Sequence, residues 1–395
     1  MRALVLGGRS PVALEIVRNL GRHGHEVHVA ESVAVNPAGW SRHASGSIRI
    51  RSPRFHLRAF LLDLAAAVER HGIDLLIPTC EETFFVARGA EWLRQRCPGL
   101  RVVSGPFDDI AALHDKHRAM GILGRLGVPV PETELIRGAE ELDALLRRDR
   151  SRPLVLKRRF SRFGVQVRLL PPGARRVQPE IEFDRDEHHA KSTPDLDGDW
   201  VAQEHVDGRL HCAYAYAHEG RLLACVQYAD ARAASFKVLT SFRPVHDPRF
   251  QEAIERTVAG LRFSGHISLD AIIGEDRIAV IECNPRVTSG IHCLPDADLG
   301  ALFTTGKPAD ASAAPAPPVP PGPIPAQIRM MNLLRRGGHD KDVRDVVHAA
   351  DDRMPSLAYA LLLGGFALSA LRHRIPLAAA TTRDIEWNGQ ELPVL

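Results

Sequence analysis

The sequence predicts an α/β and α+β protein of more than one domain, on three observations. Short apolar β-type runs alternate with helical segments through the first hundred residues. Longer alternating strands cluster between residues 200 and 284. A chain of 395 residues, 45% of them hydrophobic, is also long enough to build more than one core.

Ala3–Leu6 is a short buried strand, and Gly7-Gly8 then turns the chain into a helical pattern from Pro11 to about His23. Val27–Ala30 is a second strand, and Phe55 to Gly72 is amphipathic at helical spacing. Leu75–Ile77 and Val102-Val103 complete a parallel sheet, in a domain ending near Gly105-Pro106 and spanning 1–106. A second body is expected over 107–307. It has a helix from Asp108 to about Met120, a turn at Gly127–Pro131 and a small lobe at about 152–206. That lobe carries strands Leu154–Lys157, Val165–Leu170 and Trp200–Val206, with an acidic loop from Glu180 to Asp199. Strands near Cys212–Ala217, Leu222–Tyr228, Ile267–Ile273 and Ile278–Cys283 form its larger part. Residues 308–326 read as a Pro/Ala-rich linker, and 327–395 as a helical segment with a closing hairpin near Trp387-Asn388-Gly389.

A formal charge of +3 argues against a nucleic-acid surface. The six cysteines show no CxxC spacing and read as reduced thiols of a cytoplasmic protein. Leu357–Leu371 is the most apolar stretch, but its 15 residues fall short of a membrane span, so no stable membrane insertion is expected. That segment and Trp387-Asn388-Gly389 are either homodimer surface or domain cover. Lysine is rare: 6 against 45 arginines, so each lysine draws notice.

Gly7-Gly8-Arg9-Ser10, between a strand and a helix, is where a dinucleotide phosphate would sit, with Glu31 placed for a ribose hydroxyl. GxGxxG is absent, however, so a tight turn or an anion site explains the glycines equally well. The sharper chemistry lies near residue 280. Asp270 projects from one strand, and Glu282 and Asn284, two apart on the next, share a face. Two carboxylates and an amide oxygen form a hard oxygen set suited to Mg²⁺, or to Mn²⁺ in its place, and Arg286 adds an anion fork.

Glu282-Cys283-Asn284-Pro285-Arg286, with Asp270 twelve residues before the glutamate, resembles the metal motif of the ATP-grasp superfamily. The resemblance covers most of the chain. It implies a Rossmann-like pre-ATP-grasp domain, then a two-lobed ATP-grasp fold and a small C-terminal segment. His114-Asp115-Lys116 matches the first nucleotide lysine, and Pro153–Lys157 the strand carrying the second, Lys157. Ser161-Arg162-Phe163-Gly164 stands where the family has its phosphate flap, which implicates Ser161 and Gly164. Trp200–Gly208 resembles the adenine-binding connection: backbone of Glu204 and Val206 to the ring edge, Gln203 to the exocyclic amine. Where the family often has a ribose acid, this chain has Leu210 and His211, leaving Glu204, His211 or neither for that role.

The resemblance implies an ADP-forming ligase. Asp270, Glu282 and Asn284 would hold the metal, and Lys116, Lys157 and Arg286 would surround the phosphates. A carboxylate would become an acyl phosphate and an amine would displace the phosphate. Ser289, Gly290 and His292 would line the acceptor side, His292 either orienting an amine or simply satisfied by local structure. Glu81 would meet a cationic substrate or cap the following helix. Competing readings are a bicarbonate-activating or carbamoyl-phosphate-type enzyme, a non-catalytic nucleotide-binding regulator and, as an outsider, a nicotinamide oxidoreductase.

Overall fold

The computed structural model describes residues 1–162, 166–174, 199–229, 239–294, 297–305, 325–334 and 343–393. Gly164, His188-His189, Lys237, nearly all of the acidic loop and most of the Pro/Ala-rich linker lie outside the described residues.

The first domain is a five-stranded parallel sheet, in the order β3-β2-β1-β4-β5. Its strands are β1 (Arg2–Leu6), β2 (Glu26–Glu31), β3 (Gly46–Arg49), β4 (Leu75–Ile77) and β5 (Arg101–Val102). The Pro11–Arg22 helix starts cleanly because Ser10 Oγ accepts from Ala13 N and Pro11 opens the first turn. Gly7 sits at φ +70, and a Cβ there would meet Thr79 Oγ1 at 2.5 Å, so close packing and backbone conformation both require it. Glu31 is not free for a ribose. It accepts from Arg9 Nε at 3.0 Å and Arg9 Nη2 at 2.6 Å, which leaves the dinucleotide reading without its ribose acceptor.

The expected helix from Asp108 breaks at Asp115, whose backbone is extended. Phe107–His114 ends there. Lys116–Arg125 begins with Asp115 Oδ1 accepting from His117 N and Arg118 N. The break puts Lys116 on the first turn of its helix.

The small lobe is a four-stranded antiparallel sheet in the order β6-β9-β7-β8. It comprises β6 (Thr133–Arg137), β7 (Leu154–Arg158), β8 (Val167–Leu170) and β9 (Asp199–Glu204). β6 and the Gly138–Arg147 helix belong to it, so it starts well before the expected residue 152. Leu142, Leu145 and Leu146 of that helix bury against Ile136, Leu156 and Trp200, giving the lobe a core of its own.

The large lobe has seven strands in the order β14-β13-β10-β11-β12-β15-β16. They are β10 (Arg209–His218), β11 (Arg221–Ala229), β12 (Ser241–Val245), β13 (Gly265–Ile273), β14 (Ile278–Asn284), β15 (Ala326–Gln327) and β16 (Arg344–Asp345). One cluster joins first-domain Leu14, Val17 and Leu20 to Tyr214, Tyr216 and Ile291, so the first domain and the large lobe share a core. Ala326, assigned to the linker by composition, is a fully buried strand residue opposite Phe242.

The apolar C-terminal segment is a helix of 20 residues, Met354–His373, and so is longer than its sequence suggested. By length and composition it could cross a membrane. Ala358, Tyr359, Leu362 and Phe366 face inward, whereas Leu357, Leu361, Leu368 and Leu371 are exposed. Beyond it the chain forms no hairpin among the described residues; Trp387 instead inserts beside Phe84, Phe107 and Phe160.

Candidate active site

β13 and β14 pair antiparallel with Asp270 opposite Glu282 and Ser268 opposite Asn284. Directly opposed residues share a face, so both carboxylates and the amide project together. The register slips by one residue between Asp270 and Ala271. Through that bulge Ile281, adjacent to Glu282, joins Val206, Ile272 and Ala279 in an apolar cluster separate from the main core.

Lys116 and Lys157, from different elements, converge on this strand pair. Lys116 Nζ lies 3.2 Å from Glu282 Oε1 and donates to Ser161 O at 3.0 Å. Lys157 Nζ donates to Gln203 Oε1 at 2.8 Å, and Gln203 Nε2 donates to Thr133 Oγ1 at 3.2 Å. Both ammonium groups are buried. Burial lowers the Lys157 pKa to about 8, against the pull of Glu282 and Asp270 and with the push of Lys116. Burial and then the Glu282 charge raise Asp270 to about 6, while Arg286 and Lys157 oppose the rise. Burial acts to raise Glu282 too, but Lys116 and Lys157 outweigh it and hold the carboxyl below its usual range.

This arrangement fits a divalent cation. Two carboxylates are crowded at one point, and one is pushed toward its neutral form by the other; a cation relieves that conflict. Asn284 Nδ2 lies 3.5 Å from Asp270 Oδ2 as placed, and rotating the amide by a half turn would present its oxygen there. Among the described residues there is no group of three His, Cys, Asp or Glu for a metal, so the amide is needed as the third donor. Arg286 stands at the rim, with Nη2 3.4 Å from Asn284 Oδ1 and a buried Nε that has no hydrogen-bond partner.

Several expected contacts are placed differently. Gln203 accepts from Lys157 and donates to Thr133. The Glu204 carboxylate accepts from Arg277 Nη1 and Nη2 at 2.8 and 2.9 Å. Cys212, not His211, opposes Asp270, so His211 projects from the other face of the sheet toward Asp247. Val206 lies in the apolar cluster beside Ile281. Ser161 contributes its carbonyl to Lys116.

The acceptor-side assignments change more. His292 Nδ1 bonds Glu15 at 2.9 Å, and Arg344 binds both Glu15 and the His292 carbonyl, so this histidine fastens the first domain to the large lobe. Gly290 is present because a Cβ would meet Tyr214 Cβ at 2.5 Å and Tyr228 Cε1 at 2.8 Å. Ser289 opens the short 3₁₀ turn that includes it. Glu81 neither caps its helix nor faces open solvent: Arg162 grips both its oxygens and Trp387 N donates to it at 3.2 Å. Burial would raise Glu81, but Arg162 and His114 hold it at about 2. Glu82 accepts from the backbone N–H groups of the preceding turn, Thr79 and Cys80, each at 3.0 Å.

Sequence reasoning missed Thr133 and the Asp115–Arg159–Asp199 bridge, in which Arg159 reaches Asp115 Oδ2 and Asp199 Oδ2, each at 2.6 Å. Asp115 lies within the His114-Asp115-Lys116 motif, but nothing local points it at Arg159, and only the pairing of β6 with β9 brings Thr133 opposite Gln203.

The geometry agrees with the comparisons. Residues 113–290 match the family model of the ATP-grasp domain. No curated protein matches the chain in sequence. Among solved structures, L-amino acid ligase from Bacillus licheniformis is 17% identical with a TM-score of 0.53, covering 73% of this chain and 67% of its own. N5-carboxyaminoimidazole synthetase from Staphylococcus aureus is 13% identical with a TM-score of 0.55, covering 78% of each chain. Biotin carboxylase from Campylobacter jejuni is 18% identical with a TM-score of 0.57, covering 80% of this chain and 72% of its own. Residues 113–290 thus match the ATP-grasp domain in sequence, and the chain shares the fold of these enzymes.

Proposed function

We propose that this protein is an ATP-dependent carboxylate–amine ligase that forms an amide through an acyl phosphate and releases ADP and phosphate. The observation that carries the reading is the convergence of Lys116 and Lys157 on the Asp270–Glu282 strand pair. Buried ammonium groups beside paired carboxylates suit a polyphosphate with its divalent cation. Mg²⁺ held by Asp270, Glu282 and Asn284 would neutralise phosphate charge.

The chain's own groups do the rest. Lys157, oriented by Gln203, and Lys116, held between Ser161 O and Glu282, fix the phosphates, and the apolar cluster of Val206, Ile272 and Ile281 accepts the base. The uncommitted Nε of Arg286 is available to steer the substrate carboxylate. That carboxylate attacks the γ-phosphorus and ADP leaves. The amine then attacks the acyl carbon, phosphate departs, and the amine's proton passes to phosphate or solvent. The protein contributes positioning and electrostatics.

The test is ADP release from Mg-ATP in the presence of pooled amino acids and small carboxylates, with and without bicarbonate. ADP that requires both a carboxylate and an amine supports the ligase. ADP with bicarbonate alone would favour the carboxylase-type alternative, and nucleotide binding without ADP from any pool would favour a regulator.

A further inference from the structure

The C-terminal tail from Asp384 to Gly389 lies against residues 160–162, which adjoin Lys116, although the two are far apart in sequence. Its outer end is anchored to the first domain. Asp384 accepts from Arg9 Nη1 at 2.7 Å and Ser32 Oγ at 2.5 Å, its carbonyl accepts from Ser52 Oγ, and Glu386 pairs with Arg54. Its inner end holds residues 160–162. Arg162 Nη1 donates to Glu386 Oε2 at 3.1 Å and Asn388 Oδ1 at 2.9 Å, and Arg162 Nη2 donates to the Trp387 carbonyl at 3.0 Å. The same guanidinium grips Glu81, which also accepts from Trp387 N. Phe160 packs on the Trp387 ring at 5.5 Å, and Gly389 leaves space for it, since any Cβ there would strike the Phe160 ring.

Between the two gripped residues lies Ser161, whose carbonyl accepts from Lys116 Nζ. Lys116 N also donates to Arg159 O at 3.4 Å. The backbone of 159–161 therefore sets where the Lys116 ammonium points, and the tail clamps that backbone from one side while Asp115 and Asp199 hold Arg159 from the other.

We propose that Trp387, Asn388 and Arg162, together with Glu81, are positioning residues for the Lys116 ammonium, so that the C-terminal tail is a working part of the nucleotide site. The inference rests on the nucleotide reading above. None of the four is placed against the phosphates. They act through the Ser161 carbonyl, and their removal lets the 160–162 segment and Lys116 rotate away, weakening nucleotide binding.

Calorimetric titration of the full chain with Mg-ADP tests this, at a temperature well below the melting midpoint of each variant. Trp387→Ala and Asn388→Ala are expected to weaken ADP binding at least fivefold. Trp387→Phe, which keeps an aromatic ring over Phe84 and Phe160 and the same backbone N–H to Glu81, is expected to stay within twofold of wild type. The double variant Glu81→Gln/Arg162→Gln leaves no unpaired buried charge. It is also expected to weaken ADP, which covers the case in which Trp387→Ala does not fold. Unchanged ADP affinity in Asn388→Ala and in the double variant, beside normal binding by wild type, would overturn the role of the tail. Wild-type protein that binds no ADP would instead overturn the nucleotide reading itself.

Discussion

Lys116 and Glu282 form an ion pair at 3.2 Å that joins the first turn of a helix in one part of the ATP-grasp domain to a strand in another. The lysine side chain is 4% exposed and the glutamate 22%, so the pair is screened on one side and open toward the cleft on the other. An ion pair of this kind holds the site together while leaving the carboxylate face available.

Glu282→Gln and Asn284→Ala are each expected to abolish Mg²⁺-dependent ADP formation while unfolding remains cooperative in urea. Gln keeps the shape of Glu282 but withdraws the charge that Lys116 and Lys157 share. Full turnover in both variants would remove the metal assignment.

Gln203→Leu is expected to raise the KM for ATP about tenfold. It deletes the acceptor of a buried charged donor, an interaction of about 1.5–3 kcal/mol. Initial-rate kinetics over an ATP series would show it, and an unchanged KM would mean that Lys157 needs no partner.

Gly290→Ala should cost about 1–3 kcal/mol of stability by overpacking against Tyr214 and Tyr228. Urea unfolding measures it. A variant as stable as wild type with weakened substrate binding would return Gly290 to the acceptor side.

Arg9→Met is expected to destabilise the protein by about 3–5 kcal/mol, because it strands Glu31 and Asp384 in a buried pocket without their cation. Denaturation of the variant and of Arg9→Met/Asp384→Asn separates the two carboxylates. A loss under about 1 kcal/mol would show that the anchor is dispensable.

Stability should fall as pH drops below the ordinary histidine range. Burial alone lowers His266 to about 3, so below its unfolded pKa of about 6.5 the unfolded chain takes a proton that the folded chain refuses. The resulting loss between pH 7.5 and 5.5 is about 1.4 kcal/mol from this residue. The drop in unfolding free energy between the two pH values should be larger by that amount in wild type than in His266→Gln.

The Asp270–Glu282–Asn284 face was legible in the sequence because strand periodicity is local: residues two apart share a side whatever the rest of the chain does. Lys116 and Lys157 were legible for a different reason. Their surroundings, His114-Asp115-Lys116 and Pro153–Lys157, resemble the family's two lysine motifs, and the scarcity of lysine beside 45 arginines drew notice to them. The partners of His292, Gly290 and Glu81 were not legible, because each of these residues lies beside the motif in sequence or at a strand end, while its partner, whether Glu15, Tyr214 or Arg162, lies in a distant segment.

The sequence by itself determined the parallel character of the first domain, the positions of most strands in the second body and the chemical types at the centre of the site, all of which follow from backbone periodicity and side-chain identity. Tertiary structure alone decided three things. It set the bulge that places Ile281 beside Glu282, turned Gln203 inward to Lys157, and returned the tail to Arg162. These depend on contacts between segments far apart in the chain, and pairing across such distances is chosen by the packing of whole elements rather than by any local preference.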